Sequence, residues 1–257
     1  MLLGADVGNT QTHFGVFEDE ELVAHWRFAT EPSATADELA IKVIALLELR
    51  GIERGRLDAV IVSTVVPQLG PEYARMFERH IDNGERSYFE VGPSVRTGMP
   101  ILVDNPHELG ADRLVNAVAA HDRVQGACIT VDFGTSTNFD VVSQAGEYLG
   151  GLIGPGVEIS LEALASRTAK LPMIDLSEPG DAIGRHTRSA IRSGTVYGFA
   201  GLVDGIVRRV ADELDGEPRV IATGGLAGAI VPHCETVDEV DDLLTLNGLR
   251  LIYARNR

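Results

Sequence analysis

Apolar and polar positions along the chain follow two periods, and the switches between them mark the elements. Near the N-terminus three short apolar runs, residues 2–8, 12–17 and 22–28, are separated by polar breaks and predict a three-strand meander. "TADELAIKVIALLELRG" changes the period: Leu39, Val43, Leu46 and Leu47 recur at helical spacing. Thr35 and Glu38 supply a capping box at its start and Gly51 a stop at its end. The unbroken apolar run "LDAVIVSTVVP" predicts a buried parallel strand. A helix near 71–81 and a strand near 87–91 follow.

After a connecting helix expected at about 108–124, the order restarts at "ACITVDFGTSTNFDVV". "PGVEISLEALASRTAKLP" predicts a helix, and residues 187–214 a long one carrying Gly194, Gly198, Gly201 and Gly205. That glycine face permits close approach, against a sheet or a second subunit. A strand at "PRVIATGG" and a final helix at "LLTLNGLRLIYAR" complete the chain. No low-complexity linker intervenes, so the boundary falls near 100–109 or inside the connecting helix. The expected architecture is α/β: two halves, 1–108 and 109–257, with a cleft between them and the last helix returning to the first half.

The restart repeats residues as well as elements. "DVGNTQTHFGV", from Asp6, returns as "DFGTSTNFDVV", from Asp132. A gap-free comparison sets Phe14, Gly15, Val16, Glu21 and Leu22 opposite Asp140, Val141, Val142, Glu147 and Tyr148. In the first copy Gly8 permits a tight turn. The N–H groups of Asn9, Thr10 and Gln11, with the Thr10 and Thr12 hydroxyls, suit phosphate oxygens. Asp6 facing those phosphates needs a cation between. Asp132, Gly134, Thr135, Ser136 and Thr137 repeat the set. One such turn is an ordinary hairpin; two at the heads of matching meanders point to a shared ligand.

Composition narrows that ligand's surroundings. Thirty-eight acidic against 22 basic residues give a net charge of -16, which argues against nucleic acid and anionic membranes as partners. An anionic substrate then needs backbone N–H groups, arginines or bound cations. The only lysines are Lys42 and Lys170, neither preceded by glycine, so there is no Walker loop; nor does a G-x-G-x-x-G turn open a helix. Cys128 and Cys234 read as free thiols in a reducing compartment. No apolar run reaches the roughly 18 residues of a membrane span, no secretory leader is visible, and a cytoplasmic location is expected.

Three further stretches carry candidate chemistry. In "NPHELGADRLVNAV", Gly110 closes a loop and Asp112 and Arg113 open a helix, whose dipole should keep Asp112 ionised near neutral pH. A carboxylate beside an arginine suits a substrate with a hydroxyl to deprotonate and an anionic end; an ordinary helix-start acid with a solvated arginine is equally open. Gly224 and Gly225 in "VIATGGLAG" would let a flat ring such as adenine lie on the backbone, or form a plain turn. Pro155-Gly156 would open a helix or floor a pocket. The seven histidines, His13 among them, show no ligand spacing.

Together, "DVGNT", "STVVP", "VGPSVRTGMP", "DNPHELGADR", "VDFGTST", "TAKLP" and "TGG", in this order, resemble the type III pantothenate kinases of the acetate and sugar kinase/Hsp70/actin superfamily. The resemblance implies duplicated actin-like (ribonuclease H-like) domains, each a mixed sheet flanked by helices, and phosphorylation of pantothenate by ATP. It implies that Asp6, Val7, Gly8, Asn9, Thr10, Gln11, Thr12 and His13 form the first ATP segment, Asp6 through magnesium. Gly110, Ala111, Asp112 and Arg113 would bind pantothenate, with Asp112 the proton acceptor. Asp132 would hold a monovalent cation (potassium or ammonium), Thr135 would touch ATP, and Thr187 would reach pantothenate across a homodimer. Val103 stands where many relatives carry tyrosine, Asn138 where threonine is common and Gly154 where alanine is common. Related sugar kinases, phosphatases and accessory transcriptional regulators are the competing readings.

Overall fold

The computed structural model describes residues 1–92 and 95–257; Pro93 and Ser94, in the "VGPSVRTGMP" stretch, lie outside the described residues. In chain order the strands are β1 (Leu2–Val7), β2 (Gln11–Glu18), β3 (Glu21–Ala29), β4 (Ala59–Thr64), β5 (Ser87–Glu90), β6 (Cys128–Phe133), β7 (Ser136–Val142), β8 (Tyr148–Pro155), β9 (Arg219–Thr223) and β10 (Glu239–Val240). The helices are α1 (Ala36–Leu49), α2 (Leu69–Met76), α3 (Ala111–Val124), α4 (Val157–Ser166), α5 (Thr187–Ala211), α6 (Ala227–Ile230) and α7 (Leu244–Ala254). The chain forms two compact units. Unit 1 comprises Met1–Gly98, Asn105–Ala119 and Thr245–Arg257; unit 2 comprises Met99–Asp104 and Ala120–Leu244.

Unit 1 is built on a five-stranded sheet of order β3-β2-β1-β4-β5, antiparallel through the meander and parallel from β1 to β5. Leu3, Ala5 and Val7 of β1 alternate with residues of the opposite face, as the pleat demands. They bury against Val43 and Leu47 of α1 and Tyr73 and Met76 of α2. The capping box at α1 is present: Glu38 N–H donates to Thr35 Oγ1 at 3.4 Å and Thr35 N–H to Glu38 Oε2 at 2.9 Å. On the sheet's other face α7 lies close, its Leu246 packed at Gly15.

Unit 2 repeats the plan with order β10-β9-β6-β7-β8, so that β6, β7, β8, β9 and β10 stand where β1, β2, β3, β4 and β5 stand. Ile129, Val131 and Phe133 of β6 bury against Val157 and Leu161 of α4 and Val196, Val203 and Val207 of α5. The buried Asp204 carboxylate of α5 accepts from Glu235 N–H (2.9 Å), Thr236 N–H (3.0 Å) and the Thr236 hydroxyl (2.8 Å), which fixes the loop before β10.

Several boundaries differ from expectation. The helix opening at Val157 stops at Ser166, before "TAKLP". Hydroxyls take its last carbonyls, Thr168 Oγ1 donating to Leu164 O at 2.8 Å, and Pro172 could not continue the ladder. α3 starts at Ala111 rather than 108 because Pro106–Glu108 form a separate 3-10 turn capped by Asn105.

Candidate active site

Directly opposed residues of neighbouring strands share a face of the sheet. In unit 1 this places Ser63, Asp6, His13 and Arg27 in one row across β4, β1, β2 and β3. In unit 2 the corresponding row is Thr223, Asp132, Asn138 and Ile153. Each sheet therefore presents an aspartate with a hydroxyl residue on one side, immediately before a glycine turn. His13 is mostly buried, and burial, with the charge of Arg27 and the neighbouring His25, pushes its pKa down to about 3, so it is neutral near pH 7. It does not add positive charge to the row.

The two turns are not the same length, so the repeat is not the gap-free one that its sequence suggests. Asp6 pairs with His13, whereas Asp132 pairs with Asn138, so the second turn is one residue shorter. Phe14 thus corresponds to Phe139 and Gly15 to Asp140. The register irregularities agree: they fall at Val16/Phe17 and at Val141/Val142. One residue is regained in the following turn, where Glu18 pairs with Glu21 but Ser143 bonds to Glu147 across an extra residue. The two changes cancel, which conceals both from a comparison without gaps.

The first turn is closed by Gly8 N–H donating to Gln11 O at 3.0 Å. The Thr30 hydroxyl donates to Gly8 O at 2.7 Å and lies 2.9 Å from the Thr12 hydroxyl. Asn9, Thr10 and Gln11 are exposed, while Val7 and Thr12 are buried. Val7 therefore offers only its main chain outward, and the Thr12 hydroxyl serves the Thr30 tie. In the second turn Gly134 N–H donates to Ser136 O at 3.0 Å, Thr135 is exposed, and the buried Thr137 hydroxyl donates to Pro155 O at 3.1 Å.

Two glycines that the sequence left ambiguous support this second turn. A Cβ on Gly156 would stand 2.1 Å from Thr135 O. A Cβ on Gly224, whose φ is +95°, would stand 2.6 Å from both Asp132 Oδ1 and Phe133 O. Both permit a main chain to press against the Asp132 turn, a role that a G-G or P-G pair alone does not declare.

Asp112 opens α3 as expected. Arg113 N–H donates to its Oδ1 at 2.8 Å, and a Cβ on Gly110 would lie 2.6 Å from that oxygen, so only glycine leaves the carboxylate room. The helix dipole does not decide its titration. Burial raises the Asp112 pKa, and the N–H and charge of Arg113 offset only part of that. Ala111 and Arg113 flank it, both half-buried. In unit 2 Thr187 is the exposed first residue of α5 and borders a groove of about 750 Å³, together with Leu161, Leu164, Gly194, Gly198 and Phe199. Val103 is half-buried in a segment bonded to β8 through Leu102 N–H and Tyr148 O, at 2.8 Å.

Among the described residues no group of three or more His, Cys, Asp or Glu is placed to hold a metal ion, and no helix is long and apolar enough to cross a membrane. One carboxylate with a neighbouring hydroxyl, as in each row, suits a cation whose other ligands are water and phosphate. The family model described as type III pantothenate kinase matches residues 2–209. A type III pantothenate kinase of Myxococcus xanthus (strain DK1622) is 49% identical over 256 residues, covering 100% of this chain and 99% of its own. The chain belongs to the type III pantothenate kinase family. Solved structures at low identity extend the fold beyond type III pantothenate kinases. A Campylobacter jejuni protein assigned to the Baf family of transcriptional activators has a TM-score of 0.61 at 17% identity, over 99% of this chain and 98% of that one. A Sinorhizobium meliloti protein assigned as a 2-dehydro-3-deoxygalactonokinase has a TM-score of 0.62 at 14% identity, over 99% and 96%.

Proposed function

We propose that this chain transfers the γ-phosphoryl group of ATP to the primary hydroxyl of pantothenate, giving 4′-phosphopantothenate in the cytoplasm, the first step of coenzyme A synthesis. The full-length family relationship supports the reaction. The observation that carries the chemistry is Asp112: a half-buried carboxylate whose pKa desolvation raises, with Oδ1 tied to Arg113 N–H. Raising the pKa makes the ionised carboxylate a better proton acceptor. Asp112 takes the hydroxyl proton at Oδ2, and the Arg113 guanidinium receives the pantothenate carboxylate beside Gly110 and Ala111.

The main chain of 7–11, with the outer side chains of Asn9, Thr10 and Gln11, receives ATP phosphates, and Thr135 adds a contact from the second turn. Asp6 would hold magnesium through water, and Asp132 would hold the monovalent cation. When bound, these ions supply the positive charge that the lysine-poor chain lacks. The protein's own part is positioning and N–H donation to developing negative charge. The cut at residue 108 marks the two ancestral copies. A second copy of the chain covers the α4–α5 groove, where exposed Gly194 and Gly198 permit close helix approach, and Thr187 thereby reaches pantothenate in the partner's site.

Coupled ATP turnover with pantothenate, with and without potassium, tests the reaction. Asp112→Asn is expected to lower kcat roughly 100- to 10,000-fold; an unchanged kcat would reject Asp112 as the base. ATP binding without pantothenate turnover would favour an accessory regulatory role. Sedimentation of the chain as a monomer would remove the subunit-crossing assignment of Thr187.

A further inference from the structure

Ser63, in the unit 1 row, is a group that none of this chemistry uses. Ser63 is fully buried, and its Oγ has no hydrogen-bond partner among the described residues. A hydroxyl taken from water without a partner carries a desolvation cost, and such groups are few in native proteins. Neighbouring hydroxyls are spent otherwise: Thr64 Oγ1 donates to Val66 O at 3.2 Å, and Thr30 Oγ1 to Gly8 O at 2.7 Å. Ser63 belongs to "STVVP", at the end of an otherwise apolar strand, and stands directly opposite Asp6 in the parallel β1–β4 ladder. It lies on the face away from the Val60 and Val62 core. Unit 2 repeats the pairing, with Thr223 opposite Asp132. A hydroxyl beside the aspartate is thus built into both copies.

We propose that Ser63 is a positioning residue for the magnesium nucleotide: its hydroxyl gains a partner when the nucleotide binds, bonding to water held between Asp6 and the phosphates. The proposal rests on the reading that Asp6 faces a magnesium nucleotide. Its signature is an uneven one. Removing a hydroxyl that has no partner in the free protein leaves that protein as stable as before or more so, whereas the loaded state loses a bond.

Magnesium ADP binding by calorimetry, with thermal unfolding of the ligand-free chain, tests this without turnover. Ser63→Ala is expected to keep or raise the ligand-free Tm while weakening magnesium ADP about 10-fold, a loss that disappears in EDTA. Ser63→Thr, which keeps the hydroxyl, should bind like wild type. Equal affinity in Ser63→Ala and wild type would overturn the proposal alone. A wild-type protein that binds magnesium ADP no better than Asp6→Asn does would overturn the nucleotide reading as well. If Ser63→Ala does not fold, Ser63→Cys replaces it: weaker binding than Ser63→Thr supports the assignment, and equal binding overturns it.

Discussion

Gly15 and Asp140 occupy the same place in two sheets of the same topology, yet they are used in opposite ways. At Gly15 the strand is bare, and α7 fills the space with Leu246. At Asp140 a fully buried carboxylate accepts from the Tyr148 hydroxyl at 2.7 Å and the Thr130 hydroxyl at 3.4 Å. One turn thus rests on apolar packing and the other on a buried polar cluster. The strand order decides where each turn stands, while residues behind it decide how rigidly it is held. A buried, hydrogen-bonded cluster is costly to break and specifies one geometry; leucine against glycine is more forgiving.

The largest effects should separate the two turn aspartates. Asp6→Asn and Asp132→Asn are each expected to lower kcat roughly 100- to 1,000-fold. Titration tells them apart: the first should shift magnesium dependence and the second potassium dependence. Identical responses to both ions would break the division of labour.

Stability comes next. Asp140→Ala strands two buried hydroxyls and should cost about 2–4 kcal/mol, whereas Gly15→Ala meets only the flexible ends of Leu22 and Leu246, at 2.9 Å, and should cost about 1 kcal/mol. Denaturant unfolding of the pair measures the contrast, and equal losses would refute it.

Asp112 offers a pH test confined to unit 1. Its pKa is raised in the folded state, so Asp112 costs the fold stability at pH values above the ordinary carboxylate value. Asp112→Asn should therefore raise the ligand-free Tm near pH 7, by about 2–4 °C for each kcal/mol relieved. The advantage should shrink as pH falls through the folded pKa and vanish below the ordinary carboxylate value, where Asp112 is protonated in both states. The acid limb of wild-type kcat/KM should lie above that ordinary value, and a limb at or below it would deny the burial effect.

A second pH test belongs to His13. Its folded pKa of about 3 lies below the ordinary 6.5, so the stability gained from keeping it neutral is complete above pH 6.5 and drains away toward acid. His13→Asn, which copies the unit 2 row, should flatten the loss of Tm between pH 6.5 and 4. An unchanged slope would show that other groups govern acid sensitivity.

Much of this was legible in the chain itself. Periodicity located the two meanders and α1, down to the Thr35–Glu38 cap, because those signals are local. The motifs marked Asp6, Asp112 and Asp132. What escaped depended on approach between distant segments. Gly156 and Gly224 look like turn glycines until Thr135 O and Asp132 are seen beside them. The dipole of α3 is visible in the sequence around Asp112, but the desolvation that raises its pKa comes from segments packed around it. Ser63 was visible as a polar residue ending an apolar strand, but its significance needed the β1–β4 register.

The opposite one-residue changes in the two successive turns bear on engineering. Because the missing residue lies inside the bend, "DFGTST" in place of all of residues 6–12 would leave His13 opposite the leading aspartate and Phe14 in the core. Exchanging it residue for residue, for 6–11 only, would instead set Thr12 opposite that aspartate and turn Phe14 to the other surface. Recombination between the copies therefore depends on counting from the paired residues on either side of the bend, not on gap-free likeness of the sequences.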